Sequence, residues 1–423
     1  MLNRKQAPAF QQIQDIQFIK PTNHSLRNGI PVYVINAGDQ ELVRIEFIFK
    51  QVNWDSLKPL SAIAVNGLIN AGTTTRSAHD IASQIDYYGA FLQTEYASDH
   101  TTITLYSLTK HLAAVLPIIW DILNNSEFPE KEIAVYKQNQ KQSLQVNLQK
   151  NDFVARRTFA NALFDNTSYG TLIDAEDYNN LKREDILAYY KAAIQAANCT
   201  IIIAGKFEAV DFDVFDQIIG NTWSNKSEFT INAFSFDSFP REIYIEKPDS
   251  IQSAIRLGSI SITRIHPDFP SLQILNTVLG GYFGSRLMAN IREDKGFTYG
   301  IGSGIASLKD AGYFFLATEV GVDVCQAALV EIEKEINLLK SEMISNTELD
   351  LVKNFMLGSL LGSLENSFSH ADKFKNLLFS GLGYDYYVNY INTIKQCKGA
   401  DLLEIANKYL IWDQMTKVIV GKK

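Results

Sequence analysis

One order of elements occurs twice in this chain, and that duplication limits the fold more than any other feature. In the first half, residues 43–49 (VRIEFIF) alternate apolar and polar side chains, which predicts a half-buried strand. A helical pattern over 57–71 follows and stops at Gly72. Ser77 and Asp80 have capping-box spacing and open a second helix, with Ile81, Ile85 and Tyr88 on its apolar face and Gly89 at its end. Two strands (91–96 and 101–107), a long helix (110–124) and a helix with Pro129 at its first position complete the list. The second half predicts a strand over 253–260, a helix over 272–279 stopped by Gly280-Gly281, and a helix over 285–294 closed by Gly296. Strands at 297–305 and 312–320 follow, then a long helix over 323–340 and a helix capped by Asn346. Residue identity between the halves is low, so the repeat rests on element order and on matched glycines. A repeat of about 200 residues is a domain rather than a solenoid unit. The expected fold class is therefore α+β: two related domains, each an antiparallel sheet with helices packed mainly on one face. The stretch 221–240 (NTWSNKSEFTINAFSFDSFP) has no helical period and reads as a linker, leaving domains at 1–220 and 241–423.

Composition narrows the function classes. With 46% apolar residues the chain can build real cores. Its net charge of −8 argues against nucleic acid as a partner, since phosphate binding wants a Lys/Arg surplus. Cys199, Cys325 and Cys397 lie far apart and form no C-x-x-C, so neither a disulfide framework nor a Cys-type zinc site is expected. The first twenty residues hold no apolar run of signal-peptide length, and no stretch approaches the ~18 apolar residues of a membrane span. The chain as given reads as cytoplasmic, without a membrane partner.

Few motifs carry chemistry. Six histidines occur, but none pairs as H-x-x-x-H, so no helix presents two imidazoles one turn apart to a metal. G-x-S-x-G and G-x-G-x-x-G are both absent. The run Gly280, Gly281, Gly284 reads either as a tight helix break or as a close approach of another backbone. Arg292 falls in the last turn of a helix, and Tyr299 lies seven residues on, beyond the Gly296 turn. A helix-end cation and a strand phenol so placed suit a carbonyl oxygen or its developing oxyanion. Spacing alone equally allows Arg292 to cap its helix and Tyr299 to pack half-buried.

The string LGG-x-x-x-SRL-x-x-x-IRE-x-x-G-x-x-Y over 279–299 resembles the second-domain motif of the pitrilysin-type (inverzincin, M16, insulinase-like) zinc peptidases. That group includes mitochondrial processing peptidase. The opening LRNGIPVYV, the GTTTRSAHDIASQIDYYGA block, FPEKE and Tyr169-Gly170 match as well, so the resemblance spans the chain. It implies a LuxS/MPP-like metallohydrolase fold. The family's H-x-x-E-H, anchored on Gly72-Thr73, falls on residues 63–67. Ile63 and Gly67 then stand at the two histidines, Asn66 at the general base, and Leu144 at the distal glutamate. None can play its role, and no acid occurs at 134–150.

The resemblance thus implies that the chain binds no cofactor itself, zinc being expected in a partner. In the family's paired subunits, one carries zinc and the other keeps only an Arg/Tyr pair. Arg292 and Tyr299 match that pair, which implies a heterodimer with a zinc-bearing M16 subunit and a peptide substrate. Gly280, Gly281 and Gly284 would line the substrate path. The competing expectation is a catalytically inert structural or peptide-binding homologue, with a homodimer open to the isolated chain. An independent enzyme is disfavoured, because no nucleophile–base constellation is visible.

Overall fold

The computed structural model describes residues 13, 15–165, 167–221, 223, 226–236 and 239–422. Parts of three sequence expectations therefore lie outside the described residues: 1–12, 14 and 166 of the first domain, 222, 224–225 and 237–238 of the linker, and 423 of the second domain.

The first half runs β1 (Thr22–Ser25), β2 (Pro31–Asn36), β3 (Leu42–Lys50), α1 (Ser61–Leu68), α2 (Ala78–Tyr87), β4 (Phe91–Tyr96), β5 (His100–Leu108) and α3 (Leu112–Asn125). It continues with α4 (Glu130–Leu148), α5 (Asn151–Phe164), α6 (Ala175–Asn180), α7 (Arg183–Ala193), β6 (Cys199–Gly205) and α8 (Ala209–Ile219). The second half runs β7 (Glu242–Glu246), β8 (Gln252–Ser261), α9 (Phe269–Asn276), β9 (Thr298–Ser307), β10 (Gly312–Gly321) and α10 (Cys325–Ser341). It closes with α11 (Asn346–Gly362), α12 (Ser367–Phe379), α13 (Asp385–Gln396), α14 (Gly399–Tyr409) and β11 (Thr416–Gly421).

Among the described residues the strands form two sheets, ordered β1-β2-β6-β3-β5-β4 and β7-β11-β8-β10-β9. Apart from β1 the two orders correspond strand for strand, so the duplication extends to topology. Each sheet is mainly antiparallel and contains one parallel pair, β2 with β6 and β7 with β11. In both cases the intervening helices carry the chain across, as a parallel connection requires.

Several local expectations hold. Ser77 and Asp80 form the reciprocal capping box of α2, and Gly72, Gly89 and Gly296 all take positive φ. Other boundaries shift. The first helix begins at Ser61 rather than 57, with Leu57 left exposed. Pro129 is the N-cap of α4 rather than its first helical residue. Ser345, not Asn346, caps α11 by accepting from the Glu348 amide. Residues 230–234 are stitched in place: Val52 bridges Ile231, and the Lys309 ammonium donates to the Asn232 carbonyl at 2.7 Å.

The expected half-buried strand is buried on both faces, with Val43 to Phe49 all inaccessible. The cause is an exchange of helices between the halves. α12, from the second half, lies on the first sheet and packs Phe368, Ala371, Phe374 and Leu378 against Ile35, Ile48, Ile202 and Ala204. α5, from the first half, does the same on the second sheet, with Ala155, Phe159, Leu163 and Phe164 against Ala254, Val418 and Val420. Burying each large apolar side chain contributes roughly 1.5–3 kcal/mol. Charge follows the exchange. On β3, Arg44 and Glu46 are both buried; Arg44 contacts Glu46 at 3.1 Å and Asp372 of α12 at 2.7 Å, while Lys375 reaches Glu46 at 2.6 Å. On β8, Arg256 reaches Asp152 of α5 at 3.0 Å. The hairpin turns of the two sheets also meet, with Asp99 accepting from the Tyr169 hydroxyl and from the Lys309 amide at 2.8 Å.

A third tie runs from the N-terminal side, and it puts residues expected in the first domain onto the second half. Ile16 is buried in the second half's core. Phe18 stacks on Tyr387 at 4.6 Å, and the Ile19 amide donates to His370 Nδ1 at 3.2 Å. No helix among the described residues is long and apolar enough to cross a membrane.

Two outcomes are expected. Replacing Arg44 with Met should destabilise the protein by about 3 kcal/mol in urea titration, because Glu46 keeps its charge in a buried place with one partner fewer. Burial also lowers the His370 pKa, and the ring must stay unprotonated at Nδ1 to accept from Ile19. Its stabilising contribution is thus complete above the ordinary histidine value and is lost as pH falls through the lower folded-state value. The thermal midpoint should drop on acidification below about pH 6.5, and His370→Asn, which keeps an acceptor but does not titrate, should flatten that slope.

Candidate functional site

α1 carries three of the four positions at which the family motif places metal chemistry, and α4 carries the fourth. Ile63 is partly buried and packs against the first half's core. Asn66 is buried, and its amide nitrogen has no hydrogen-bond partner. Gly67 sits in the last turn of α1 under Tyr136 of α4: a Cβ added there would meet the Tyr136 ring at 2.8 Å. Leu144 is buried in the same core. Burial pushes the Tyr136 phenol pKa up, so the ring is a neutral filler.

These residues do not fit zinc. An isoleucine, a glycine and a leucine offer no donor atom, and the one amide present is a poor ligand for a cation that prefers His, Cys or carboxylate. The space that an imidazole at 67 would need is taken by Tyr136. No group of three or more His, Cys, Asp or Glu side chains among the described residues is placed to hold a metal. Sequence reasoning missed Tyr136. The signal was indirect: a glycine inside a helical run weakens the helix and implies a packing reason.

The second half holds the other candidates. α9 continues into a π-helical turn over Thr277–Gly281, and a second π-helical stretch, Met288–Asp294, carries Arg292. Both open readings of the glycine run prove partly right: the helix breaks here, and it breaks against a strand. A Cβ on Gly280 would lie 2.8 Å from the Ser303 backbone nitrogen of β9, so the close approach demands glycine. At Gly284 the neighbour is the Tyr282 ring, 2.9 Å from a hypothetical Cβ. Gly281 lies against the Asn276 carbonyl, 3.1 Å from such a Cβ.

Arg292 does not cap its helix. Its guanidinium lies over the Phe283 ring, 4.6 Å from the centroid, and it pairs with Glu293 at 3.8 Å. Tyr299 is not half-buried as packing alone would have it; it is 93% exposed near the start of edge strand β9. Arg292 thus offers N–H groups and Tyr299 an O–H to solvent. Either donor set can take a carbonyl oxygen or an anion.

A cavity of about 210 Å³ beside the start of α1 is lined by Trp54, Tyr96, Ser168 and Tyr189 among others. Ser168 Oγ is buried without a partner. No histidine lines this cavity, so it holds no serine–histidine pair.

Fold and site together define a two-sheet scaffold of the metallopeptidase type, with no metal-ligand group among the described residues. The profile of the family described as Insulinase (Peptidase family M16) matches residues 64–175, and that described as Peptidase M16 inactive domain matches 180–356. The chain belongs to peptidase family M16. It is 26% identical over 332 residues to the Uncharacterized zinc protease YmxG of Bacillus subtilis, covering 76% of this chain and 80% of that one. It is 22% identical over 370 residues to the Non-peptidase homolog YmxG of Helicobacter pylori, covering 84% and 83%. Among solved structures, a peptidase M16 inactive domain from Pseudomonas fluorescens superimposes with a TM-score of 0.85 at 21% identity, over 95% of this chain and 98% of that one.

Rebuilding the metal set should fail while the plug remains. The substitutions Ile63→His, Asn66→Glu, Gly67→His and Leu144→Glu should leave the purified chain without stoichiometric zinc by elemental analysis. Adding Tyr136→Ala should raise the zinc content.

Proposed function

We propose that this chain is the non-catalytic, substrate-positioning subunit of a two-chain zinc peptidase. Its units are 1–220 and 241–423, joined by 221–240, and its partner is an M16 subunit that carries the zinc. Arg292 and Tyr299 hold the carbonyl of a bound peptide at the partner's site. The guanidinium offers a fixed charge and the phenol a hydrogen bond, and both strengthen as negative charge grows on that oxygen. One contrast carries the reading. The four metal positions are filled by packed or donorless side chains, whereas Tyr299 stands in solvent and Arg292 lies part-exposed over the Phe283 ring. Side chains with no packing role in their own chain are suited to work on something else.

The name of the Helicobacter pylori relative, a non-peptidase homolog, favours a chain without activity of its own. It fits the inert peptide-binding alternative equally, and one experiment separates the two. The purified chain should not cleave peptides alone, and mixing it with a zinc-bearing M16 subunit from the same host should switch cleavage on. In that mixture Arg292→Ala or Tyr299→Phe should lower kcat by roughly 10²–10³, the loss typical of one oxyanion contact. Mixed activity indifferent to both substitutions removes the assigned roles. No activation by any zinc-bearing subunit of the host leaves the inert reading.

A further inference from the structure

Two cations of the second half lie near each other, and neither has an acid to hold it. Arg264 sits in the loop between β8 and α9, and its amide donates to Ser307 Oγ at 2.9 Å. Its guanidinium lies 5.9 Å from the centre of the Tyr386 ring on α13. That guanidinium forms no hydrogen bond or ion pair with any described residue, and its Nε is buried without a partner. Tyr386 meets Tyr387 edge-on at 5.3 Å, and the Tyr387 hydroxyl donates to the Lys373 carbonyl of α12 at 3.3 Å. The loop, α13 and α12 are thus in continuous contact. The half-buried Lys373 ammonium likewise has no hydrogen bond or ion pair with a described residue. Asp372, beside it in the chain, is engaged with Arg44 at 2.7 Å. Burial and the Arg264 charge both push the Lys373 pKa down, so the two cations are close enough to repel.

We propose that Arg264, Lys373, Tyr386 and Tyr390 form a binding site for a phosphoryl dianion, either inorganic phosphate or the phosphate group of a small soluble ester. Two features select this ligand. The first is charge. Cations taken out of water are normally paired, and two of them without a carboxylate call for two negative charges rather than one. The second is the donor set. Guanidinium and ammonium groups donate and cannot accept. Tyr386 and Tyr390 lie one turn apart on the same face of α13, their rings nearly parallel with centroids 6.2 Å apart. Burial raises both phenol pKa values, so both stay protonated and can donate at neutral pH. Such a set suits a group made of acceptor oxygens and rejects a cation. The site shares no residue with the Arg292/Tyr299 pair and stands whether or not that pair holds a carbonyl. It does touch the frame of the molecule. Lys373 rides on α12, the helix that covers the first sheet, so an occupant would tie α12 to α13 and to the loop before α9.

The test titrates inorganic phosphate into the full chain by calorimetry, with ionic strength held constant by chloride. Binding should saturate at one phosphate per chain, and phosphate should raise the thermal midpoint, because a ligand of the folded state stabilises it. Acetate, a monoanion, should bind far more weakly. Arg264→Gln and Lys373→Met each remove one charge at similar side-chain length. Each should weaken phosphate binding by roughly 10–100-fold, the loss typical of a charge-assisted contact. In phosphate-free buffer both variants should keep or raise the thermal midpoint, since one of two repelling charges is gone; a purely structural role would lower it. A glycerol 3-phosphate affinity well above that of phosphate identifies an ester as the ligand, and equal affinities identify the free ion. No phosphate binding, binding untouched by both substitutions, acetate binding as tight as phosphate, or a lowered midpoint of both variants in phosphate-free buffer overturns the site.

Discussion

The architecture depends on a trade of helices. Each half makes a sheet whose second face it cannot cover, and each sends a helix to cover the other's. α12 closes the first sheet and α5 closes the second. The two helices occupy corresponding places in the repeat, so the trade is reciprocal. Neither half is a self-sufficient domain in the usual sense, because an isolated one would expose a row of Ile, Val and Ala side chains. The buried Arg44–Glu46 pair makes the arrangement selective. Besides each other, its two charges pair with Asp372 and Lys375 from the other half, and a misdocked helix would take those partners away.

That frame accounts for what fills the four positions at which the family motif places metal chemistry. They lie on α1 and α4, which pack against the first half's core, and Tyr136 occupies the space over Gly67. Tyr299, by contrast, stands in solvent, and Arg292 rests on the exposed Phe283 ring.

How much of this could be read from the sequence follows from the range of each interaction. The repeat, the capping box of α2 and the glycines with positive φ are local and were legible, because spacing within a few residues sets them. The M16 membership was legible in the 279–299 string. The helix exchange was not. A strand buried on both faces and one buried on a single face can share the same alternation when the second face carries Arg and Glu. VRIEFIF looked amphipathic because its polar members meet polar partners 328 and 329 residues away. Tyr136 was hidden for the same reason: its partner Gly67 lies on another helix. Tyr282 and Phe283 sat in view within the motif, but their exposure could not be told from sequence, since aromatic residues usually pack inward.

The order in which the pieces are made adds a consequence. The stretch containing Ile16 and Phe18 leaves the ribosome early, yet its docking groove at His370 and Tyr387 is made late. α5 emerges long before β11, the strand it must lie on. A chain cut before the strand Thr416–Gly421 would therefore leave α5, in the other half, without the surface it covers.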